Sequence, residues 1–178
     1  FFSFKDTDGL TFESAYGMLC MKLAFAFQDY QFLLDDDAIS DDDKGIFKRI
    51  LGRTASMDET KSCFLLLTRM LEIHFKKSAV VILDEYDVPI AKASSNGYYS
   101  QMLDVMRAMM STTLKDNISL DFAVVTGCLK IAKESIFTGT NNFVSDTILS
   151  PRLSESFGFT QADVDQMLKD ADLESQSA

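Results

Sequence analysis

The stretch VVILDEYD at residues 80–87 decides the fold prediction, because four apolar residues run directly into two adjacent carboxylates. An apolar run of this kind, beginning at Ala79, is typical of a parallel strand that is buried on both faces. Asp84 and Glu85 then leave the strand at its carboxyl end, which is the edge where open α/β sheets bind ligands. The stretch therefore predicts a parallel sheet with two acidic groups at the ligand-binding edge.

An apolar strand that ends in Asp-Glu is the Walker B pattern of P-loop nucleotide hydrolases. In those enzymes the first carboxylate helps to hold Mg²⁺ on the nucleotide phosphates, and the second polarises the attacking water. Asp84 and Glu85 are the candidates for these two roles. The alternative is structural, since acidic residues at a strand exit can simply be solvated or cap the next turn. The pattern alone leaves both interpretations open.

The chemistry also requires a glycine-rich loop of type G-x-x-x-x-G-K-[ST], whose backbone amides hold the phosphates. The chain contains no Gly-Lys-Ser or Gly-Lys-Thr sequence, and its eight glycines are scattered. These 178 residues therefore contain the candidate acidic half of a nucleotide site without the loop that would bind the phosphates.

The composition favours one α/β domain, because 178 residues with 47% apolar content are enough for a substantial core. The net charge of −10 disfavours non-specific electrostatic binding to nucleic acid or anionic lipid. No apolar run approaches the length of a membrane span, and the start FFSFKDTDG lacks the features of a signal peptide. We therefore expect a cytoplasmic protein that binds neither membrane nor nucleic acid directly, and we expect the sequence to be a segment of a longer one.

Helical periodicity, strand patterns and capping residues predict the remaining elements. They are a strand at residues 1–4, a helix from about 12 to 34, a helix capped by Ser40 that ends near Gly52, a helix capped by Asp58 that ends near Lys76, a helix at about 98–114, a strand at 121–126, and a helix capped by Thr160 that ends near Lys169. The four methionines of the helix at 98–114 are expected in the core, and so are the three cysteines as buried reduced thiols. His74 is expected on a helix surface.

Four segments together point to a family: VVILDEYDVPI (80–90), GYYSQMLDVMRAMMSTTLKDN (97–117), VVTGCLKIAKESIFTGTNNF (124–143) and ESFGFTQADV (155–164). In this order and spacing they resemble the predicted AAA-ATPase-like proteins of bacteria, a branch of the P-loop ATPases. The resemblance covers the chain from residue 1 to about 168. It predicts a partial AAA-ATPase-like domain at residues 1–170 and a frayed tail at 171–178.

The resemblance implies an α/β fold of the P-loop NTPase (ASCE, AAA-like) type, a three-layer parallel sheet flanked by helices with strand order 5-1-4-3-2. Residues 1–4, 79–84, 122–126 and 155–159 would be strands 2, 3, 4 and 5, so strand 1 and its phosphate-binding lysine are missing. By the same resemblance, Thr126 is a sensor that reads the γ-phosphate and acts in catalysis with Glu85. ATP and Mg²⁺ are the implied cofactors, with Asp84 as metal ligand, and they are expected to bind only together with the missing segment.

The resemblance also covers three cationic residues, a pair of asparagines and the region beyond this chain. Lys130, Lys133 and Arg152 follow the sensor strand, where some P-loop ATPases place cations near phosphate, but no motif assigns an arginine finger and solvated loop charges are the favoured interpretation. Asn141 and Asn142 belong to an S-I-F-x-G-x-N-N element that we interpret as a structural turn. Related proteins often continue into a PD-(D/E)XK nuclease-like domain, which is therefore an expected covalently linked partner.

Three functions remain open on the sequence. The leading hypothesis is the Walker B and sensor portion of a Mg-ATP-binding and hydrolysing ATPase domain that is inactive alone. The alternatives are a non-catalytic interaction or scaffold module, and a regulatory ATPase domain coupled to a downstream nuclease-like domain. Because strand 1 would lie beside strand 4, the outer edge of residues 122–125 would be unpaired, and we also expect self-association.

Overall fold

The computed structural model describes residues 1–128, 144–147, 150–153, 158–171 and 173. The chain divides into two compact units, Phe1–Thr140 and Asn141–Ala178. Within the described residues, no helix combines the length and the apolar character that crossing a membrane requires. The first unit carries the sheet and the candidate site.

The described elements of the first unit alternate between short strands and helices. In chain order they are β1 (Phe2–Ser3), α1 (Phe12–Gln28), a 3₁₀ turn (Gln31–Asp35), α2 (Asp41–Leu51), α3 (Met57–Lys61), α4 (Cys63–Phe75), β2 (Ala79–Asp84), α5 (Val88–Asn96), α6 (Tyr99–Leu114) and β3 (Leu120–Val125). The described part of the second unit holds a 3₁₀ turn (Pro151–Leu153) and α7 (Gln161–Asp170).

The three strands form one parallel sheet in the order β1-β2-β3. Phe2 pairs with Leu83 at one side of β2, and Leu83 pairs with Val125 at the other. This is the order predicted for strands 2, 3 and 4, and the protein is an α/β structure whose parallel sheet is flanked by helices. The self-association expected from an open edge of β3 stays a prediction.

Two of the predicted helix starts are confirmed by their capping bonds. The Ser40 hydroxyl accepts a hydrogen bond from the Asp43 backbone N–H at 3.2 Å. Thr160 does the same for Asp163 at 3.2 Å and completes a capping box. Each side-chain oxygen satisfies a backbone donor that the first turn of a helix leaves without an intrahelical partner.

Two helix predictions are wrong in their bounds. The helix predicted to reach Leu34 ends at Gln28, and a 3₁₀ turn follows it. The helix that we expected Asp58 to cap is capped by Ser56, which forms a capping box with Glu59. It also stops at Lys61, because the Ser62 hydroxyl donates to the Asp58 carbonyl at 2.9 Å and a new helix begins at the next residue.

Helix α4 and the methionines of α6 form much of the core. Phe64 of α4 makes edge contacts with Phe2 of β1 at 5.1 Å between ring centroids and with Phe4 at 6.5 Å. The α6 methionines are all buried, as the helical spacing predicted: Met102, Met106, Met109 and Met110. The sheet therefore rests on a layer of aromatic and thioether side chains.

One face of the sheet is more exposed than the sequence predicted. The register places the side chains of Val80 and Phe122 on the same face, and those of Ile82 and Val124 beside them. These four side chains are 39–54% exposed, whereas Leu83 on the opposite face is 1% exposed. Burial of β2 on both faces is therefore wrong for this chain, because the packing of α4 covers the face that carries Phe2 and Leu83.

The three cysteines are free thiols in different environments. Cys63 is buried and Cys20 is half-buried, and burial raises the pKa of both thiols. Cys128 is exposed, so the prediction that all three are buried is wrong. His74 is a surface residue of α4, as predicted, and its Nδ1 lies 2.7 Å from the Asp36 carboxylate.

A buried amide fixes the start of β3 against two helices. The Asn117 side-chain NH₂ donates to the Thr68 hydroxyl of α4 at 3.1 Å and to the Thr113 carbonyl of α6 at 2.9 Å. Its side-chain oxygen accepts the Ser119 backbone N–H at 3.1 Å. Asn117 therefore sets where the chain leaves α6 and enters the sheet.

We predict that Asn117→Ala lowers the free energy of unfolding by about 1–3 kcal/mol, because it leaves buried polar groups without their partner. Ile118→Ala is the matched control, since Ile118 is 90% exposed, and it should change stability by less than about 0.5 kcal/mol. Urea denaturation of both variants measures the difference. Equal effects at the two positions would contradict the role of the amide.

We also predict a pH-dependent contribution from the ion pair that joins α2 to α3. Arg49 Nε donates to Glu59 Oε1 at 3.0 Å, and hydrogen bonding from Arg49 lowers the pKa of Glu59 to about 2. A carboxyl whose pKa is lower in the folded state stabilises the fold above its unfolded value, and the contribution is lost as the pH falls through the folded value.

Glu59→Gln should therefore destabilise the chain most near neutral pH, and progressively less between pH 4.5 and about 2. Urea denaturation of wild type and variant across this range provides the measurement. Glu13→Gln, at an exposed position in the first turn of α1, is the control. A destabilisation by Glu59→Gln that is constant with pH would reject the ion-pair explanation.

Candidate functional site

The carboxyl ends of the three parallel strands meet at one edge of the sheet and carry the predicted site. Backbone hydrogen bonds continue past the strand ends: the Phe4 N–H donates to the Asp84 carbonyl at 2.8 Å, and the Thr126 N–H donates to the Leu83 carbonyl at 2.9 Å. The end of β2 is thereby held from both sides. The chain directs two carboxylates to this edge because β2 ends at Asp84 and Glu85 follows it.

The structure brings Asp84 and Thr126 together. The Thr126 hydroxyl donates a hydrogen bond to Asp84 Oδ1, which joins the side chains of two neighbouring strands. Asp84 is half-buried and Thr126 is exposed, so the pair is accessible from the edge of the sheet. A carboxylate has about four acceptor positions, and the Asp84 carboxylate therefore retains capacity for a cation or its bound water.

Glu85 lies next to this pair in an unusual backbone conformation. Its φ is +55°, in the left-handed region that costs a non-glycine residue about 1–2 kcal/mol. The turn is closed by the Val88 N–H, which donates to the Glu85 carbonyl at 3.1 Å. Among the described residues, no hydrogen bond joins the Glu85 side chain to Asp84 or Thr126, so its carboxylate is a neighbour of the pair and is not bonded to it.

Two residues that the sequence interpretation did not use, Asp87 and Gly127, pack against each other beneath this turn. Asp87 is a buried carboxylate, only 3% exposed, at the start of α5. A Cβ atom placed on Gly127 would lie 2.5 Å from Asp87 Oδ1 and 2.8 Å from two ring carbons of Tyr86. The signal was present as the last acidic residue of DEYD and as the glycine after Thr126, but its meaning depends on a contact between the segments that follow two neighbouring strands.

The loop that leaves the carboxyl end of β1 is held by the turn between α5 and α6. The Gly9 carbonyl accepts hydrogen bonds from Asn96 Nδ2 at 3.0 Å and from the Tyr98 hydroxyl at 2.7 Å. Gly9 itself lies against α1, since an added Cβ would be 2.6 Å from the Ala15 backbone nitrogen. The loop is therefore anchored to the turn between α5 and α6, and sequence reasoning did not identify its two anchoring side chains.

The candidate cations are only partly within the described residues. Lys130 and Lys133 lie outside them, as do Asn141, Asn142 and residues 155–157 of the predicted fifth strand. Residues 158 and 159 are described and are not in a strand, and residues 172 and 174–178 of the predicted tail are outside. Arg152 forms an ion pair with Asp146, which raises the pKa of Arg152 and lowers that of Asp146.

The described residues contain no group of three or more His, Cys, Asp or Glu side chains that could hold a metal ion by themselves. Mg²⁺ does not need such a cage, because it is usually held by one or two carboxylates together with waters and substrate phosphates. Asp84, with an oxygen ligand at an open edge and a hydroxyl beside it, fits that kind of site.

Comparison with known proteins gives a family and one long relative. The model of the family described as AAA-ATPase_like, Predicted AAA-ATPase, matches residues 2–137. A protein of Azotobacter chroococcum mcd 1, described as "Uncharacterized protein in vnfD 5'region", is 30% identical over 121 residues. That alignment covers 67% of this chain and 23% of the relative, so the chain spans less than a quarter of the relative's length. No solved structure matches the chain.

Proposed function

Since the chain belongs to the predicted AAA-ATPase family, we propose that it forms the Walker B and sensor portion of a site that binds and hydrolyses Mg-ATP. The observation that carries the proposal is the hydrogen bond from the Thr126 hydroxyl to Asp84 across the carboxyl edge of β2 and β3. It joins an acidic and a hydroxyl side chain at the edge where parallel sheets bind ligands.

In this proposal Asp84 is the metal-supporting residue. Mg²⁺ supplies neutralisation of the charge on the β- and γ-phosphates. The Asp84 carboxylate would hold the ion or one of its waters, and the Thr126 hydroxyl orients that carboxylate through its bond to Oδ1. Because its single hydroxyl proton is donated to Asp84, Thr126 retains acceptor capacity only, so it would sense the γ-phosphate through a water that donates to both oxygens.

Glu85 is the proposed water-polarising residue. Glu85 directly follows Asp84, and its left-handed backbone interrupts the alternation of side chains between the two faces of β2. An ionised carboxylate accepts hydrogen bonds only, which suits it to orient a water whose oxygen attacks the γ-phosphorus while ADP leaves. Glu85 and Asp84 thus have separate tasks, one on the water and the other on the cation.

The phosphate-binding loop is the part of the proposed site that these 178 residues do not contain. We therefore place this loop in another part of the full-length protein. A nuclease-like domain linked to the same chain is a further part of the proposal. The alternative, a non-catalytic interaction module, is favoured by the exposed apolar face around Val80 and Phe122. A G-x-x-x-x-G-K-[ST] segment in the full-length protein supports the ATPase, and its absence supports the interaction module.

We predict that the 178-residue chain alone binds Mg-ATP weakly and does not hydrolyse it measurably, because Asp84 cannot replace several amide and lysine contacts to phosphate. Calorimetric titration of Mg-ATP into the chain measures binding, and release of phosphate measures hydrolysis. A full-length family member with the glycine-rich loop is the positive control. A saturable micromolar site on the chain alone would contradict the prediction.

The second prediction concerns a full-length family member that carries the loop, numbered as in this chain. Glu85→Gln should lower turnover by about 10²–10⁴-fold and leave ATP binding intact, because it removes only the polarisation of water. Asp84→Asn should also weaken the magnesium-dependent part of binding. Steady-state turnover and equilibrium binding with and without Mg²⁺ separate the two effects.

Three further variants test the Thr126 hydroxyl and control for general effects of substitution. Thr126→Ser keeps the hydroxyl that bonds Asp84 and should retain activity, whereas Thr126→Val removes it and should not. Glu13→Gln changes an exposed glutamate of α1 and should have no effect. Unchanged turnover in the Glu85 variant would reject its proposed role.

A further inference from the structure

We propose that Gly127 is a positioning residue for Glu85: its missing side chain lets Tyr86 and Asp87 pack against the end of β3, and this packing holds Glu85 in its left-handed turn. The chemical consequence rests on the proposed function, since Glu85 is the residue assigned to polarise water. The structural part, that position 127 determines the conformation at position 85, stands on the contacts alone.

The need for glycine at 127 comes from space and not from backbone conformation. The described glycines with positive φ are Gly97 and Gly158, and Gly127 is not one of them. A Cβ at Gly127 would lie 2.5 Å from Asp87 Oδ1 and 2.8 Å from Tyr86 Cδ1 and Cε1. Real Cβ atoms essentially never approach a heavy atom more closely than 3.0 Å, so a side chain at 127 requires Asp87 and Tyr86 to shift.

The two residues in contact have little room to retreat. Tyr86 is 9% exposed and Asp87 is 3% exposed. The Asp87 carbonyl also accepts the backbone N–H groups of Ile90 at 3.2 Å and Ala91 at 2.9 Å, which fixes it to the first turn of α5. Both side chains are buried and the Asp87 backbone is bonded into α5, so in this proposal the chain yields at the strained residue just before Tyr86.

Backbone bonds from the same end of β3 bracket that strained residue. The Thr126 N–H donates to the Leu83 carbonyl at 2.9 Å, and the Thr126 carbonyl accepts the Tyr86 N–H at 3.2 Å. Asp84 and Glu85 lie between these two bonds. Displacement of Tyr86 disrupts its N–H bond to the Thr126 carbonyl and so releases one side of the turn. A misplacement of about 1 Å at a reacting group can cost on the order of 10²-fold in rate.

The test compares Gly127→Ala with Gly17→Ala, which makes the same change in α1 where an added Cβ meets nothing within 4 Å. In the 178-residue chain, NMR reports the conformation of Glu85, because a positive φ gives a strong intraresidue amide-to-Hα cross-peak. We expect Gly127→Ala to weaken that cross-peak and shift the amide signals of residues 84–88. Gly17→Ala should leave them unchanged.

In a full-length family member with the phosphate-binding loop, the same pair of variants gives the catalytic readout. Gly127→Ala should lower kcat per folded molecule by about 10–10²-fold with KM for ATP changed by less than about 3-fold. A general loss of structure would instead reduce the folded fraction, which circular dichroism measures, or raise KM. Gly17→Ala should change neither. If Gly127→Ala does not fold, Tyr86→Leu withdraws the ring from Gly127 without adding volume and should give the same loss of kcat.

The two readouts distinguish failure of this inference from failure of the proposed function. A wild-type full-length protein that does not hydrolyse ATP rejects the proposed function, and the NMR comparison then decides alone whether Gly127 holds the turn. An intact Glu85 cross-peak in Gly127→Ala overturns the inference, as does an unchanged kcat in an active enzyme. The inference is supported if Gly127→Ala loses both the strong Glu85 cross-peak and the normal kcat, while Gly17→Ala retains both.

Discussion

The attachment of Thr126 to the end of β2 is the interaction on which the candidate site depends. One residue makes three connections: its N–H donates to Leu83, its carbonyl accepts from Tyr86, and its hydroxyl donates to Asp84. The first two connections are backbone bonds and continue the parallel pairing beyond the strands. The third adds a side chain to the same point, so the position of the Asp84 carboxylate follows directly from the pairing of β2 and β3.

The opposite end of β3 is also fixed by hydrogen bonds, which explains how a short strand can hold the side chains of the candidate site in place. Asn117 bonds α4 and α6 before the chain enters the sheet, and β3 then runs for six residues to the site. Such a network of buried hydrogen bonds is rigid when every member is satisfied. Helix packing is thereby coupled to the site edge through one strand, and local strain at Glu85 is tolerated because its surroundings determine its conformation.

The sequence predicted what depends on local pattern. The apolar run before Asp84 predicted β2, the order of the strands agreed with the resemblance, and Ser40 and Thr160 gave two correct caps. The prediction that Asp58 caps the helix failed because it did not use the S-x-x-E pattern, in which Glu59 is the third residue after Ser56. The exposure of Val80 and the close approach at Gly127 could not be predicted, since each depends on what another strand or helix places beside it.

The left-handed conformation of Glu85 implies a conflict between folding and chemistry at this position. Asp6, Arg53, Lys76 and Asp116 also have positive φ. The last three follow helices, where such residues are common, and Asp6 lies in the loop after β1, whereas Glu85 directly follows the last residue of a strand. A glycine would adopt this turn with about 1–2 kcal/mol less strain, and it would carry no carboxylate. Selection for thermal stability alone would therefore favour replacing Glu85, so a stabilised variant obtained without a functional screen is at risk of losing this side chain first.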